Sequence, residues 1–461
     1  MRAQRILAAA VVITAFVATG CGGREGGGTE STGGEGGGES SVSSSFGDLS
    51  EVCTDGSASG ASAQGVTDSE IKVGTFSDVG FTKVSEFGDA AKVFTSWCND
   101  NGGINGRTLT ATVRDTKFMA VRQEMTKACK EDFALVGGGA ALDALGTKER
   151  LTCLLPNFPA QTSQVAELDS DLIVQASPSQ TFGYMPYYQF RYWLVQEAYP
   201  DSANAVGIIN ADSPVSKVLG DMQLESTEAA GGTFVYNDLY PASGVSDWTP
   251  YAQSIKDKGV KGLIFYGQYS QLAKLESVLT GMNYKLDWID ANNNAYGEKF
   301  IPLLGPSADY QNNVVDLGGV LPLESDAEAM EQLKELYAKY APGAEITMPA
   351  VRAFSAWLLF AKSAVSCGDD LTRSCVYDTA TQESEWTAGG LQAAQNLAPD
   401  AAPSPCFNVE KATGDGWVAA DFQPDDGAFR CDIPVKEMAD TARYGSGMTL
   451  SDVGLSMGDV K

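Results

Sequence analysis

From residue 65 onward the apolar positions switch repeatedly between two spacings. Ile71-Lys72-Val73-Gly74-Thr75-Phe76 alternates and reads as a strand, whereas Val84, Phe87, Ala91, Phe94 and Cys98 recur with the period of a helix facing a core. Glycine after the last turn, in Asn101-Gly102-Gly103, stops that helix. The pattern then predicts a strand over 108–113, a helix over 119–129, a short buried strand over 133–136, a helix over 140–150 and a strand over 153–155. A second series begins near Tyr184, with strands at 205–209, 233–236, 261–266, 286–289 and 314–320 and helices at 215–230, 248–258, 270–280 and near 296–303. Two helices follow at 326–340 and 349–366, the latter apolar through Val351, Phe354, Leu358 and Val365. From 367 the chain, rich in Pro, Gly and Asp, reads as loops and short strands. Such a succession implies parallel sheets covered on both faces. The expected fold class is α/β, two doubly wound parallel-sheet lobes with no long linker between them.

Residues 1–21 have the parts of an export signal. Arg2 and Arg5 supply positive charge, 6–17 an apolar stretch too short to span a bilayer comfortably, and Val17-Ala18-Thr19-Gly20-Cys21 a run of small residues closed by a cysteine. That ending resembles a bacterial lipobox. The resemblance implies that 1–20 are a lipoprotein signal peptide and that Cys21 is lipidated; an ordinary cleaved signal with Cys21 incidental is the alternative. Two acyl chains on one cysteine anchor stably. The stretch 22–40 holds ten glycines and no hydrophobic residue. Residues 21–48 are therefore expected to form a disordered tether reaching on the order of 30 Å.

Composition narrows the chemistry. The 461 residues include no histidine, which excludes Ser-His-Asp and Cys-His nucleophiles and any metal site that needs imidazole. Acid/base work would fall to a carboxylate, Lys, Tyr or Cys of strongly shifted pKa. With 59 Asp and Glu against 32 Lys and Arg, a net charge of −27, the chain is no candidate for nucleic acid. No cofactor and no metal are expected: Gly137-Gly138-Gly139 lacks the GK[ST] of a phosphate loop, and Asp369-Asp370 and Asp425-Asp426 lack the calcium-loop pattern. Nine cysteines less Cys21 leave an even number, which favours disulfides in an exported protein, although many pairings are open. Cys367–Cys375 would close a short polar loop and Cys406–Cys431 bracket a C-terminal segment. Cys129 ends a helix and Cys153 starts a strand at the same end of a sheet, which pairs them and leaves Cys53–Cys98 to tie down the N-terminal arm.

Three blocks carry a family resemblance. Gly65-Val66-Thr67-Asp68-Ser69-Glu70-Ile71-Lys72-Val73-Gly74 resembles the opening of branched-chain amino-acid-type ABC transporter solute-binding proteins. So does Gly102-Gly103-Ile104-Asn105-Gly106-Arg107, with a strand ending Arg114-Asp115, and so does Pro159-Ala160-Gln161-Thr162. The resemblance covers roughly 65–365, plus a cysteine-containing tail of actinobacterial kind. It implies the type I periplasmic-binding fold, with two lobes, three crossover strands and a ligand cleft. On that reading lobe 1 comprises 49–177 plus about 321–366, lobe 2 comprises 178–320 plus about 395–435, and 367–394 and 436–461 are loop-rich C-terminal segments.

In parallel sheets ligands bind beyond the carboxyl ends of the strands. Here those loops are Ser77-Asp78-Val79-Gly80, 137–140 and 158–163 in the first lobe, and 210–213, Gly267-Gln268-Tyr269 and 290–296 in the second. The resemblance implies Thr162 as the hydroxyl that holds a ligand carboxylate, with the backbone of Ala160 and Gln161 beside it, and an aromatic contact near Gln268 and Tyr269. The chain departs from the family at Ala140, where a hydroxyl is expected, and at Asn292-Asn293-Asn294, where an acidic partner for an α-amino group is expected; Asp290 is the nearby carboxylate. A buried ammonium without a paired charge is costly, so these departures favour a neutral or anionic solute. The candidate ligand-binding set is Ser77, Asp78, Gly139, Ala140, Ala160, Gln161, Thr162, Tyr184, Gln268, Tyr269, Asn294 and Tyr296, with no catalytic residue. Structural alternatives stand beside them: a tight turn for 137–139, a helix cap for Gln268, and hinge core for Tyr184 with its aromatic neighbours Tyr187, Tyr188, Tyr192 and Trp193.

The expected function is a monomeric, lipid-anchored, extracytoplasmic solute-binding protein at the outer face of the cell membrane. It would capture a small polar molecule, an amino acid or related amide or carboxylate, and deliver it to the permease subunits of an ABC importer. A ligand-sensing cell-surface receptor on the same fold is the alternative, and a hydrolase using Asp78 and Asp290 is the least favoured. Without histidine, binding is expected to change little between about pH 6 and 8.

Overall fold

Apolar runs bounded by glycine and polar turns build two sheets in the computed structural model, which describes residues 44–178 and 181–461. The export signal, Cys21 and nearly all of the expected tether lie outside the described residues. The first sheet has the order β2-β1-β3-β4, all parallel, from β1 (Glu70–Ser77), β2 (Thr108–Asp115), β3 (Leu135–Val136) and β4 (Asn157–Phe158). Helices α1 (Val79–Thr82) and α2 (Glu86–Asp100) link β1 to β2, α3 (Val121–Glu131) links β2 to β3, and α4 (Ala144–Thr152) links β3 to β4. Next come α5 (Val165–Leu168) and α6 (Tyr188–Tyr192), the latter prolonged by a π-helical turn over Trp193–Ala198.

The second sheet has the order β11-β10-β9-β8-β7-β5-β6. Its parallel part is β5 (Val206–Asp212), β6 (Phe234–Pro241), β7 (Gly262–Tyr266), β8 (Trp288–Asp290) and β9 (Asn313–Asp316). Between these strands run α7 (Pro214–Ala229), α8 (Thr249–Asp257), α9 (Tyr269–Gly281), α10 (Phe300–Leu304) and α11 (Ser307–Tyr310). The chain then forms α12 (Glu328–Tyr340), α13 (Met348–Cys367) and α14 (Arg373–Thr381), and ends the second sheet with β10 (Val409–Thr413) and β11 (Gly416–Ala419), an antiparallel edge.

Helix α13 packs back onto the first sheet, against α2, β3 and β4. It is apolar nearly all round, as a helix enclosed by its neighbours must be. Phe354 meets Phe94 edge-on at 5.3 Å, and Trp357 stacks on Phe94 at 5.5 Å. Truncating a ring at such a site costs about 3–5 kcal/mol. Because β9 leads away from the second sheet and β10 returns to it, three stretches of chain run between the sheets, and they are hydrogen-bonded together. Gln392 Nε2 donates to Ala176 O at 2.8 Å, Ala393 N to Gly319 O at 2.7 Å and Asn408 Nδ2 to Val320 O at 2.8 Å.

Three local expectations need correction. No strand forms at 153–155: α4 runs to Thr152, Cys153 is its C-cap, and the strand is Asn157–Phe158. The cause is Arg150, fully buried, whose guanidinium fastens Glu167 and the carbonyls of Leu155 and Leu172 and so holds α4 helical past it. The strand expected over 314–320 ends at Asp316, because Gly318 and Gly319 take positive φ and turn the chain. The tail is not loops and strands alone, since α14 starts where Thr372 Oγ1 caps Cys375 N at 3.2 Å. Disulfides join Cys53–Cys98, Cys129–Cys153, Cys367–Cys375 and Cys406–Cys431. Among the described residues no helix is long and apolar enough to cross a membrane.

Candidate functional site

Parallel strands end with their carboxyl termini toward one edge of a sheet, and both sheets turn that edge to the same cavity, of about 210 Å³. One water needs roughly 10–15 Å³ by the same measure, so the space suits a small metabolite. From the first sheet come Gln161, Thr162 and Ser163, just past β4, and Arg352 from the second turn of α13. The second sheet contributes Tyr266 at the end of β7, Asn292, Asn293 and Asn294 after β8, and Asp316 at the end of β9. Tyr184, Met185 and Tyr187 before α6, with Pro403, Ser404, Cys406 and Phe407 before β10, complete the wall.

The loop past β4 is held from behind. Asp143, 9 % exposed, accepts from Ser163 N at 2.6 Å, Gln164 N at 3.1 Å and Ala144 N at 2.9 Å. Burial, with Glu167 nearby, pushes its carboxyl up to about 8 against the pull of those amides. Thr162 Oγ1 accepts from Gln175 Nε2 at 3.1 Å. On the other wall Arg191 pairs with Asp290 at 2.5 Å, and Asn292 N donates to Asp290 at 2.9 Å, so the Asp290 charge is already satisfied. Asp316, 5 % exposed, accepts from Gly318 N at 2.7 Å; burial and then the amides, Asp290 and Arg191 set its carboxyl at about 7.

Of the residues singled out from the sequence, the structure brings Gln161, Thr162, Tyr184 and Asn294 to the cavity. Gly139 and Ala140 line a chamber of about 20 Å³ behind Gln161 and Thr162, room for one water. The others sit outside both. Asp78 accepts from Thr116 Oγ1, from Phe118 N at 2.8 Å and from Ala141 N at 2.8 Å, which ties the loops after β1, β2 and β3 together; Ser77, just before it, is buried. Ala160 N donates to Gly138 O at 2.8 Å. Gln268 N donates to the Tyr240 hydroxyl, and Tyr269 packs on Phe300. Tyr296 is core: its ring packs edge-on against Trp417, its hydroxyl donates to Glu324 and accepts from Leu323 N. The glycines after β3 are there for close approach. A Cβ on Gly137 would lie 2.3 Å from Trp357 Nε1, and one on Gly138 2.4 Å from Phe76 N.

Two charged residues of the lining went unread, Arg352 and Asp316. A charged residue inside the apolar stripe of the 349–366 helix was the signal for the first; an aspartate just before Gly318-Gly319, where a strand must end, was the signal for the second. Asp316 also changes the pH expectation, because a carboxyl set near 7 at the cavity titrates where histidine would. Among the described residues no cluster of His, Cys, Asp or Glu fits a metal ion.

The C-terminal segment borders the same cavity. Val435 lines it, Met185 N donates to Lys436 O at 2.7 Å and Met438 N to Gly183 O at 2.8 Å. Beyond that pairing Arg443 meets Glu225 of α7, then Asp171 N donates to Met448 O at 3.1 Å, and Arg373 N donates to Lys461 O at 3.2 Å. The segment thus passes from a helix of the second sheet to residues next to the first.

Two parallel-sheet units joined by three stretches of chain, with a cavity at their facing strand ends, define the type I periplasmic-binding fold. The chain belongs to the periplasmic binding protein family, whose model matches residues 70–416. A fatty acid ABC transporter substrate-binding protein from Thermomonospora curvata superposes with a TM-score of 0.63 at 18% identity, over 82% of this chain and 97% of its own. A branched-chain amino acid ABC transporter protein from Thermus thermophilus with bound valine gives 0.63 at 14%, over 82% and 99%. A branched-chain amino acid transporter substrate-binding protein from Streptococcus pneumoniae in complex with isoleucine gives 0.58 at 14%, over 76% and 100%. No curated protein matches the sequence.

Proposed function

We propose that this protein captures a small polar solute, an amino acid or related amide or carboxylate, in the cavity between its two lobes and hands it to an ABC importer. The carrying observation is the cavity itself. Residues from the strand ends of both sheets, Thr162 and Asp316 among them, and from the connecting stretches line one space of metabolite size. Such a site closes around a solute by hinge motion, here at 174–178, 317–321 and 391–408. The solved relatives support a carboxylate-bearing ligand, since a fatty acid, valine and isoleucine all carry one. The lobe boundaries, the export signal, lipidation at Cys21, the outer-face location and a monomeric state belong to the same reading.

Thermal-shift screening of the purified protein against amino acids, short carboxylates, amides and sugars tests it, followed by calorimetry on each hit. At least one saturable solute with a raised melting temperature is the expected result; a protein indifferent to the whole panel would sink the reading. Anchoring is tested by labelling cells with an alkyne fatty acid, where Cys21→Ala abolishes incorporation.

A further inference from the structure

Seven arginines are buried among the described residues: Arg107, Arg114, Arg150, Arg191, Arg352, Arg373 and Arg430. Six are bonded. Arg114, Arg150, Arg191 and Arg430 pair with Asp132, Glu167, Asp290 and Glu197. Arg107 donates to the carbonyls of Thr67, Gly368, Ser59 and Gly60, and Arg373 to those of Phe133, Cys153, Leu154 and Asp132. Arg352 is the exception. It is 9 % exposed, no described residue hydrogen-bonds or ion-pairs with its guanidinium, and its Nε is enclosed without a partner. It lines the cavity from the first-sheet side.

A buried guanidinium without a counter-charge is costly; Arg191 too keeps Nε and Nη1 unbonded, but it has Asp290 as counter-charge, whereas Arg352 has neither an ion pair nor a hydrogen bond. Asp316 lines the same cavity and makes no ion pair with it. Asp316 instead accepts from Gly318 N, with Asp290 and Arg191 as its charged neighbours. We propose that Arg352 is the anion-binding residue of the cleft and that the solute carries a single carboxylate docked on it. The inference rests on the solute-binding reading and adds the ligand's charge and its contact. The planar guanidinium presents paired N–H donors that match the two oxygens of a carboxylate. One cation facing a carboxylate across the cavity suits a monoanion and not a dianion. Tyr184, Tyr187 and Phe407, elsewhere in the cavity lining, give the rest of the solute aromatic surface.

The test uses matched pairs on the full-length protein by calorimetry: hexanoate with hexanamide, benzoate with benzamide, leucine with leucinamide, and glucose as a neutral outsider. The expected result is an acid bound on the order of 10-fold or more tighter than its amide, with Arg352→Gln reducing the acid to the amide's level and Arg352→Lys restoring part of it. A second readout needs no ligand. If Arg352 is held unpaired for the solute, solute-free Arg352→Gln and Arg352→Met melt at or above the native temperature; a structural arginine replaced so would melt lower, and that outcome overturns the assignment. A native protein that binds amides or glucose and refuses the acids also overturns it while leaving the solute-binding reading intact. A protein that binds none of the probes overturns both.

Discussion

The two walls of the cleft hold their charges in opposite ways. On the first-sheet side the carboxylates are occupied: Asp143 by the amides of Ala144, Ser163 and Gln164, Glu167 by Arg150. The group left facing the cavity is a cation, Arg352. On the second-sheet side the cation is occupied, Arg191 by Asp290, and the group left facing the cavity is a carboxylate, Asp316. Each wall therefore satisfies its own internal charges and offers one of opposite sign to the solute. Internal pairs set stability and the unpaired groups set recognition, and substitutions separate the two.

The largest effect is expected at Arg191. Arg191→Ala leaves Asp290 buried without its partner and deprives Asp316 of the nearby positive charge, and breaking such a pair costs about 3–5 kcal/mol. Arg150→Ala on the other wall should cost a similar amount, since Glu167, Ser170 and three carbonyls lose their donor together. Urea unfolding of both variants measures this. Equal losses show two walls built to one rule, and a loss under about 1 kcal/mol at Arg191 would mean that water reaches Asp290.

Asp143 comes next. Asp143→Ala removes the acceptor for three backbone N–H groups, a loss of about 1–3 kcal/mol. It also frees the loop carrying Gln161 and Thr162, so solute affinity should fall with stability. The carboxyl is pushed up to about 8 by burial, above its unfolded value. Its contribution is thus full below about pH 4 and drains away as pH rises toward 8. Asp143→Asn keeps an acceptor and should flatten that slope in melting temperature; a slope unchanged from native would assign it to Glu276, Glu410 or Asp316, also raised to about 8, about 7 and about 7.

Strand and helix order was legible because burial follows local period: Phe87, Ala91, Phe94 and Cys98 on α2 are all buried. What escaped was decided by partners distant in the chain. Arg150 looks like a surface residue of its helix, and only packing from elsewhere buries it. Tyr296 reads as a cleft residue by its place after a strand, yet Trp417 of β11, added to the sheet much later in the chain, draws its ring into the core. The first cleft loop was legible in part, as Gln161 and Thr162 show, because a loop directly after a parallel strand has one place to go. The second wall depended on where β9 stops, which Gly318 and Gly319 settle through backbone conformation rather than hydrophobicity.

Asp316 gives a test of sign. With its carboxyl set at about 7, it is mostly neutral at about pH 6 and mostly charged at about pH 8. The titratable and charged groups around it are Asp290 and Arg191, with Arg352 on the opposite wall, and the chain has no histidine to titrate in that window. A carboxylate solute on Arg352 should therefore bind a few-fold more weakly as pH rises through that range, and Asp316→Asn should remove the dependence. An affinity that rises instead would place a cationic group of the solute against Asp316. Calorimetry at the two ends of the range distinguishes these outcomes.

The smallest effect on stability is expected in the segment bordering the cleft. Arg443 pairs with Glu225, but its side chain is 49 % exposed, so water competes for both charges and Arg443→Ala should cost less than about 1 kcal/mol. Its interest lies in geometry. The segment is held at Gly183 and Met185, at Glu225, then at Ala166 and Asp171, so it reaches from one wall's helices to the other's. A contact that contributes little to the folded state can still limit how far the walls part, because the segment carrying it is held on both sides of the cleft, in addition to the connecting stretches bonded at Ala176 and Gly319. Arg443→Ala should then leave the melting temperature within a few degrees of native. Amide exchange at Met185 and Met438, the pair next to Val435 in the cavity wall, should rise in the solute-free protein. Exchange that stays at the native rate would mean that the pairing with Gly183 and Met185 holds alone, and that the walls are limited by the three connecting stretches only.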